Sequence, residues 1–190
     1  QTVDNRSSNG ALSLYNIFNS EPNTPSYQFV LEYIERPPYA EMFFEDTLMA
    51  AVFYGYPLLI ENNKEAIITY FRKRGYGGYV MKRPKEYTPE SNLKRKVVEW
   101  GIPSNSDDII IKHSGKIERY IHYHVGIWTQ ENENEEIIYG RSGYRPVGSC
   151  GSMLFERTLS DWATYDIKKR TKYDATIASG YALMAADVKF

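Results

Sequence analysis

The sequence predicts a mixed α/β fold, and three observations predict it. Two runs of alternating hydrophobicity stand near the start, ALSLYNIF (11–18) and YQFVLEYI (27–34). Two segments with helical apolar spacing follow, 40–54 and 64–74. Between those helices lies PLLI (57–60), a run with no polar residue. The order is hairpin, helix, strand, helix, strand, which is neither a helical bundle nor a sandwich. A chain of 190 residues suits one domain, taken here as 1–190.

Each element has a local reason. The turn cluster SEPNTPS (20–26) separates the first two strands and lets them pair antiparallel. Arg36-Pro37-Pro38 then breaks the sheet. Residues 40–54 place Met42, Phe43, Leu48, Met49, Val52 and Phe53 at helical spacing, and Gly55 is a natural stop. Residues 57–60, apolar throughout, read as a strand in the sheet interior. The helix over 64–74 turns Ile67, Ile68, Tyr70 and Phe71 inward and ends at Gly75. Residues 78–81 read as a further strand. The stretch 82–105 is rich in charge and broken by three prolines. Residues 107–113 fit helix or strand alike. A helix capped by Ser114 is expected over 114–125, and an acidic loop over 130–136. Residues 139–151 hold four glycines and a proline and read as loop. Helical spacing returns over 152–169 at Leu154, Phe155, Leu159, Trp162 and Tyr165. The last helix, 173–186, is rich in small residues that permit close approach to a partner.

Composition narrows the function classes. Apolar residues make up 42% and charged residues 25%, the balance of a folded soluble domain. The net charge is −1, so a nucleic-acid surface has to come from local clustering. Cys150 is the only cysteine, which excludes an internal disulfide framework and a cysteine-built zinc cage. No apolar run approaches the ~18 residues of a membrane span, and the polar start QTVDNRSSNG lacks a signal-peptide core. A cytoplasmic protein with no membrane partner is the default expectation. Phosphate-loop and nucleophile-elbow motifs are absent from the sequence.

Glu61 is the most informative residue. A carboxylate just after a buried apolar strand stands where α/β folds put ligand sites. The plainer alternative is a solvated Glu61 beside Asn63 capping the next helix. Asp174 opens the last helix, where the dipole favours a carboxylate and a metal site could use it as well. Asp161 and Asp166 read as surface groups. His122 and His124, two apart, do not share a helix face, and Cys150 reads as a bystander. Basic residues cluster twice: Lys82, Arg83, Lys85, Lys94, Arg95 and Lys96, then Lys168, Lys169, Arg170 and Lys172. Such clusters beside carboxylates suit a site that grips phosphates, and equally suit a solvated face.

The combination of PLLIENNK (57–64) and KRTKYDATIASGYALMAA (169–186) resembles the nuclease domain of bacteriophage terminase large subunits. Residues 35–84 are similar to that domain's helix, central strand, helix and strand in order, and the resemblance covers almost the whole chain. It implies an RNase H-like mixed central sheet flanked by helices. It also implies a metal-dependent endonuclease that cuts double-stranded DNA during genome packaging. Two Mg²⁺ or Mn²⁺ ions would act there, with an ATPase domain and a portal protein as partners in the infected bacterial cytoplasm. Glu61 falls at the family's second acid and Asp174 at its third. The first acid lies on a strand that would precede Gln1, so the chain looks cut just after it. Asp4, just downstream, joins the candidate metal set without being equated with that acid. Two rival expectations stand beside this one. One is an inactive RNase H-like module that binds DNA or portal protein. The other is a different RNase H-like nuclease, such as a resolvase.

Overall fold

The structure is a computed structural model that describes residues 9–17, 27–62, 65–89, 92, 94, 99–104, 106–121, 129–131, 137–139 and 153–187. It is a mixed α/β arrangement. Strands β1 (Gly10–Asn16) and β2 (Gln28–Glu35) form the antiparallel hairpin that the alternation predicts, with Leu14 opposite Leu31 and a register shift after Leu14. Leu12 and Leu14 are buried on one face of the hairpin, and Phe29 and Ile34 on the other, where the register shift brings Phe29 opposite Tyr15 and Ile34 opposite Ala11.

Helix α1 (Ala40–Tyr54) starts once Pro37 and Pro38 are past and stops at Gly55. Gly55 sits at φ 73° and its N–H bonds the Ala51 carbonyl at 2.9 Å. A left-handed residue of this kind ends a helix at little cost only when it is glycine. The period was legible, but the buried face differs from the expected one. Thr47, Leu48 and Ala51 are buried, whereas Met42, Met49, Val52 and Phe53 face solvent. Helix α2 (Glu65–Lys73) buries Ile68 and Phe71, with Ile67 and Tyr70 packed beside them. Glu65 in its first turn and Arg72 and Lys73 in its last match the helix dipole.

Residues 57–60 are not a fully buried strand. Only Ile60 is buried, and pairing is confined to parallel bridges at Leu58–Val80 and Glu61–Ile102. The expected neighbour over 78–81 is the reason. Gly77–Tyr79 is a 3-10 turn, so the ladder reduces to one bridge at Val80. An antiparallel bridge, Lys82–Trp100, ties in the far side. Within the charged stretch, Lys85–Tyr87 forms a second 3-10 turn.

Helix α3 (Asp107–Tyr120) settles the ambiguity of 107–113 in favour of helix and displaces the expected start at Ser114. Ser106 precedes the first turn, and Asp107 and Asp108 occupy it. Ser114 lies mid-helix, its hydroxyl donating to the Ile110 carbonyl at 3.0 Å. Part of the acidic loop is instead β3 (Thr129–Glu131), paired antiparallel with β4 (Ile137–Tyr139). The helix expected over 152–169 is shorter: α4 (Glu156–Thr164), then a kinked 3-10 stretch, Ile167–Lys172. Helix α5 (Asp174–Ala186) completes the described fold and packs on β1, α3 and α4.

Three apolar clusters hold these elements. Phe29, Ile117, Tyr120, Met153 and Leu183 join the hairpin to α3 and α5. There Phe29 and Tyr120 meet edge to face at 5.2 Å and Tyr120 meets Trp162 at 5.9 Å, pairs worth about 0.5–1.5 kcal/mol each beyond area burial. Leu48, Ile60, Ile68, Phe71 and Val80 form the core of the α1–α2 half. Tyr87, Ile102, Ile109, Tyr181 and Met184 bridge the two halves. No helix among the described residues is long and apolar enough to cross a membrane.

Candidate functional site

A cavity of about 1220 Å³ separates β1 from the extended segment 56–61. Ordinary small-molecule pockets hold roughly 300–1,000 Å³. Helices α1 and α2 supply part of its wall and the small-residue face of α5 another part. Glu61 and Asp174 both border it, with Ser104 and Arg170.

Glu61 follows the Ile60 carbonyl, which accepts from the Ile102 N–H at 2.8 Å, so its backbone is held by the parallel bridge. It is half-buried, and the Ser104 hydroxyl donates to its carboxylate. The solvated alternative for Glu61 holds in part: the side chain keeps some exposure while it is hydrogen-bonded to Ser104. Asn63, its proposed helix cap, lies outside the described residues. The Arg170 guanidinium donates to the Ser104 carbonyl, linking the basic 3-10 stretch to the same loop. Tyr181, on α5, is buried beside this group. Burial first, then the charge of Glu61, holds its hydroxyl well above the usual phenol range, while Arg170 pulls the other way.

Asp174 stands in the first turn of α5, as the sequence predicts. It accepts from the Asn9 backbone N–H at 2.8 Å and from the Asn9 side-chain amide at 3.3 Å. The start of β1 is thereby tied to the start of α5. Asp161, expected on the surface, is half-buried and accepts from the Ala175 N–H at 3.1 Å. Burial is the main cause that raises its pKa, with the charge of Asp174 adding to it. Two carboxylates thus share the α5 N-terminus. Sequence spacing gave no sign of this, because Asp161 lies on α4 and only the packing of α4 on α5 brings it there.

Apart from Arg170, which is tied to the Ser104 carbonyl, the basic residues divide into three groups. Lys82, Lys85, Lys94, Lys168, Lys169 and Lys172 are exposed. Lys82 lies over the Trp100 ring at 5.6 Å, and Lys169 is 3.5 Å from Asp166. Arg83 is not offered to a ligand: its side chain is 6% exposed, pairs with Glu99 at 2.6 Å and donates to the Gly101 carbonyl. Asp4, Arg95, Lys96, His122, His124 and Cys150 lie outside the described residues. A buried histidine that the sequence did not single out, His113, contacts α5 through the Thr176 carbonyl at 2.9 Å.

The donor set bears on metal binding. Carboxylate oxygens are the ligands that Mg²⁺ and Mn²⁺ take, and Mg²⁺ commonly uses one or two carboxylates plus substrate phosphates and water. Glu61 and Asp174 are donors of that type and border the same cavity. They are too few for a bridged pair, and the described residues hold no group of three histidine, cysteine, aspartate or glutamate side chains that could hold a metal. No protein-family model, curated protein or solved structure matches the chain.

Proposed function

We propose that this chain is an RNase H-like nuclease domain of the phage terminase type, which cuts double-stranded DNA with a divalent metal. One observation carries the reading. Glu61 and Asp174, far apart in sequence, border one cavity, and the basic stretch Ile167–Lys172 leads directly into Asp174. The order of hairpin, helix, extended segment and helix supports the fold assignment. In this reading the ATPase domain and portal protein of the packaging motor are partners, and the phage-infected bacterial cytoplasm is the setting.

Each group has a task in this reading. The exposed Lys168, Lys169 and Lys172 hold backbone phosphates and fix the duplex without reading its sequence. Arg170 and Ser104 hold Glu61 in place. Asn9 does the same for Asp174. Glu61 and Asp174 together would hold Mg²⁺ or Mn²⁺, and such an ion supplies Lewis acidity at a phosphoryl oxygen.

The count of carboxylates favours a rival reading, an inactive module that binds DNA or portal protein. Nicking of supercoiled plasmid separates the two. With two of the family's acids at the site, the nuclease reading expects at most weak cutting in Mn²⁺ or Mg²⁺, which Glu61→Gln and Asp174→Asn each abolish. Salt-sensitive DNA binding without any metal-dependent cutting would transfer the assignment to the binding module. Cutting confined to four-way junctions would transfer it to the resolvase class.

A further inference from the structure

Helix α1 carries apolar residues around most of its circumference, and the described residues cover it on one side only. A helix that is apolar all round is ordinarily buried all round. Thr47, Leu48 and Ala51 are buried, and Phe43, Phe44 and Thr47 border the cavity. On the opposite side Met42, Met49 and Phe53 follow one another at i, i+7 and i+11, with Val52 beside them. Those spacings fall on one helix face. Met42 is 50% exposed, Met49 55%, Val52 42% and Phe53 82%. Other exposed apolar residues, such as Ile111 and Leu154, stand on separate elements, and single ones of that kind are normal.

The patch has the size of an interface. With Tyr39, 70% exposed at the helix start, these side chains present about 600 Å² of apolar surface, the upper end of what a monomer ordinarily shows. Two such patches face to face bury about 1,200 Å², the lower bound of a standard specific interface. Methionine and aromatic side chains are also the types that interface cores favour.

Charge decides what covers it. Helix α1 carries Glu41, Glu45 and Asp46 in its first half and no basic residue, and residues 47–56 are uncharged. Glu45 accepts from the Tyr70 hydroxyl and from Arg74, each at 2.7 Å. Asp46 accepts from the Tyr33 hydroxyl at 2.6 Å. The two carboxylates that flank the stripe are therefore engaged within the chain, and the stripe suits an uncharged apolar partner rather than a basic one. The second half of α1 in another copy is such a surface. With the two helices antiparallel, each acidic half meets the uncharged half of the other, and like charges stay at opposite ends. A parallel pairing brings the acids together, which disfavours it.

We propose that this face is the contact between two copies of the chain, packed α1 against α1 and antiparallel about a two-fold axis, with Met42 of each copy on Phe53 of the other. A self-complementary contact of this kind closes at two copies. It uses the side of α1 away from the cavity that Glu61 and Asp174 border. The proposal stands without the nuclease reading, since no metal or DNA enters it.

The test is sedimentation of the intact chain from about 1 to 500 µM, a range that covers the weak dimers expected of an interface this small. The mass should rise from that of one chain to that of two and stop there. Phe53→Glu should weaken the dimer about 30-fold or more. Ile111→Glu, at an exposed apolar site on α3, should leave it unchanged. The double variant Met42→Lys, Phe53→Glu decides the direction. In the antiparallel pair each new lysine meets a new glutamate of the other copy, so association should return to within about tenfold of the natural chain. In a parallel pair lysine meets lysine and association stays lost. Circular dichroism of each variant at the lowest concentration checks the monomer fold, and Phe53→Ser repeats the test without a charge if Phe53→Glu fails to fold. A chain that stays monomeric at the highest concentration overturns the proposal. So does association that Phe53→Glu leaves intact, that the double variant does not restore, or that grows beyond two copies. A monomer that binds phosphatidylcholine vesicles and loses them on Phe53→Glu reassigns the face to a lipid surface.

Discussion

Helices α1 and α5 are built from similarly apolar sequence and are buried very differently. α5 buries seven residues, among them Ala175, Ser179, Gly180 and Met184, and packs on β1, α3 and α4. α1 is longer, yet it buries only Thr47, Leu48 and Ala51 and leaves Phe53 82% exposed. Side-chain size explains the difference better than hydrophobicity does. Small residues let the backbone of α5 come close to neighbours on several sides. The bulky residues of α1 exceed what its neighbours, chiefly α2, a 3-10 turn and the Tyr33 ring of β2, can cover.

The largest test of this contrast compares methionines. Met184→Ala, at a fully buried site, should cost about 2–5 kcal/mol by denaturant unfolding. Met49→Ala on the exposed side of α1 should stay within about 0.5 kcal/mol. Equal costs would break the comparison.

Glycines sharpen it next. A Cβ at Gly180 would lie 2.0 Å from the His113 ring, so Gly180→Ala should cost about 1–3 kcal/mol through overpacking. Truncating His113 in the same chain should recover part of that loss, which a double-mutant cycle reads directly. Gly115, on α3, has nothing within 4 Å of its would-be Cβ. Gly115→Ala should therefore stabilise the protein by about 0.5–1 kcal/mol through helix propensity.

His113 also makes the α3–α5 contact sensitive to pH. Burial pushes its pKa below the ordinary value of 6.5, and the nearby Arg170 pushes the same way, while hydrogen bonds from the ring to the α5 backbone oppose the shift. The Tyr165 and Tyr181 rings pack against it. The unfolded chain therefore takes up a proton near pH 6.5 that the folded chain refuses until lower pH. Stability from this group is complete above about pH 6.5 and falls as pH drops, by up to about 1.4 kcal/mol per pH unit until the folded ring protonates. Denaturation midpoints at pH 7.5 and 5.5 should diverge more in the natural chain than in His113→Gln. The smallest effect is expected at Phe53→Ser, within about 0.5 kcal/mol, because the ring is already in water.

The legible parts of the fold are those whose cause is local. The alternation in 11–18 and 27–34 and the glycine stops at Gly55 and Gly75 each depend on neighbours a few residues away, and each element stands where expected. The illegible parts depend on distant partners. Ser114 looked like a cap because the helix around it was visible, while the seven residues before it were ambiguous. The bridge partners of 57–61 lie near Val80 and Ile102, and a 3-10 turn beside them shortened the strand. In the candidate site, Glu61 and Asp174 were legible from their places at an extended segment's end and a helix start. Ser104, Arg170, Tyr181 and Asp161 gather around them only through packing.

By itself the sequence determined a mixed α/β chain with the first antiparallel hairpin, the helices α1 and α2 near their observed bounds and a small-residue last helix, while the start of α3 and the length of α4 came out differently. Periodicity and turn chemistry act over a few residues, so they are written in order along the chain. Tertiary structure alone decided which side of α1 is wet, that Arg83 serves Glu99 rather than a ligand, and that Glu61 and Asp174 border one cavity. Those outcomes depend on which surfaces meet and how closely, and close approach is set by the summed shapes of segments far apart in the chain.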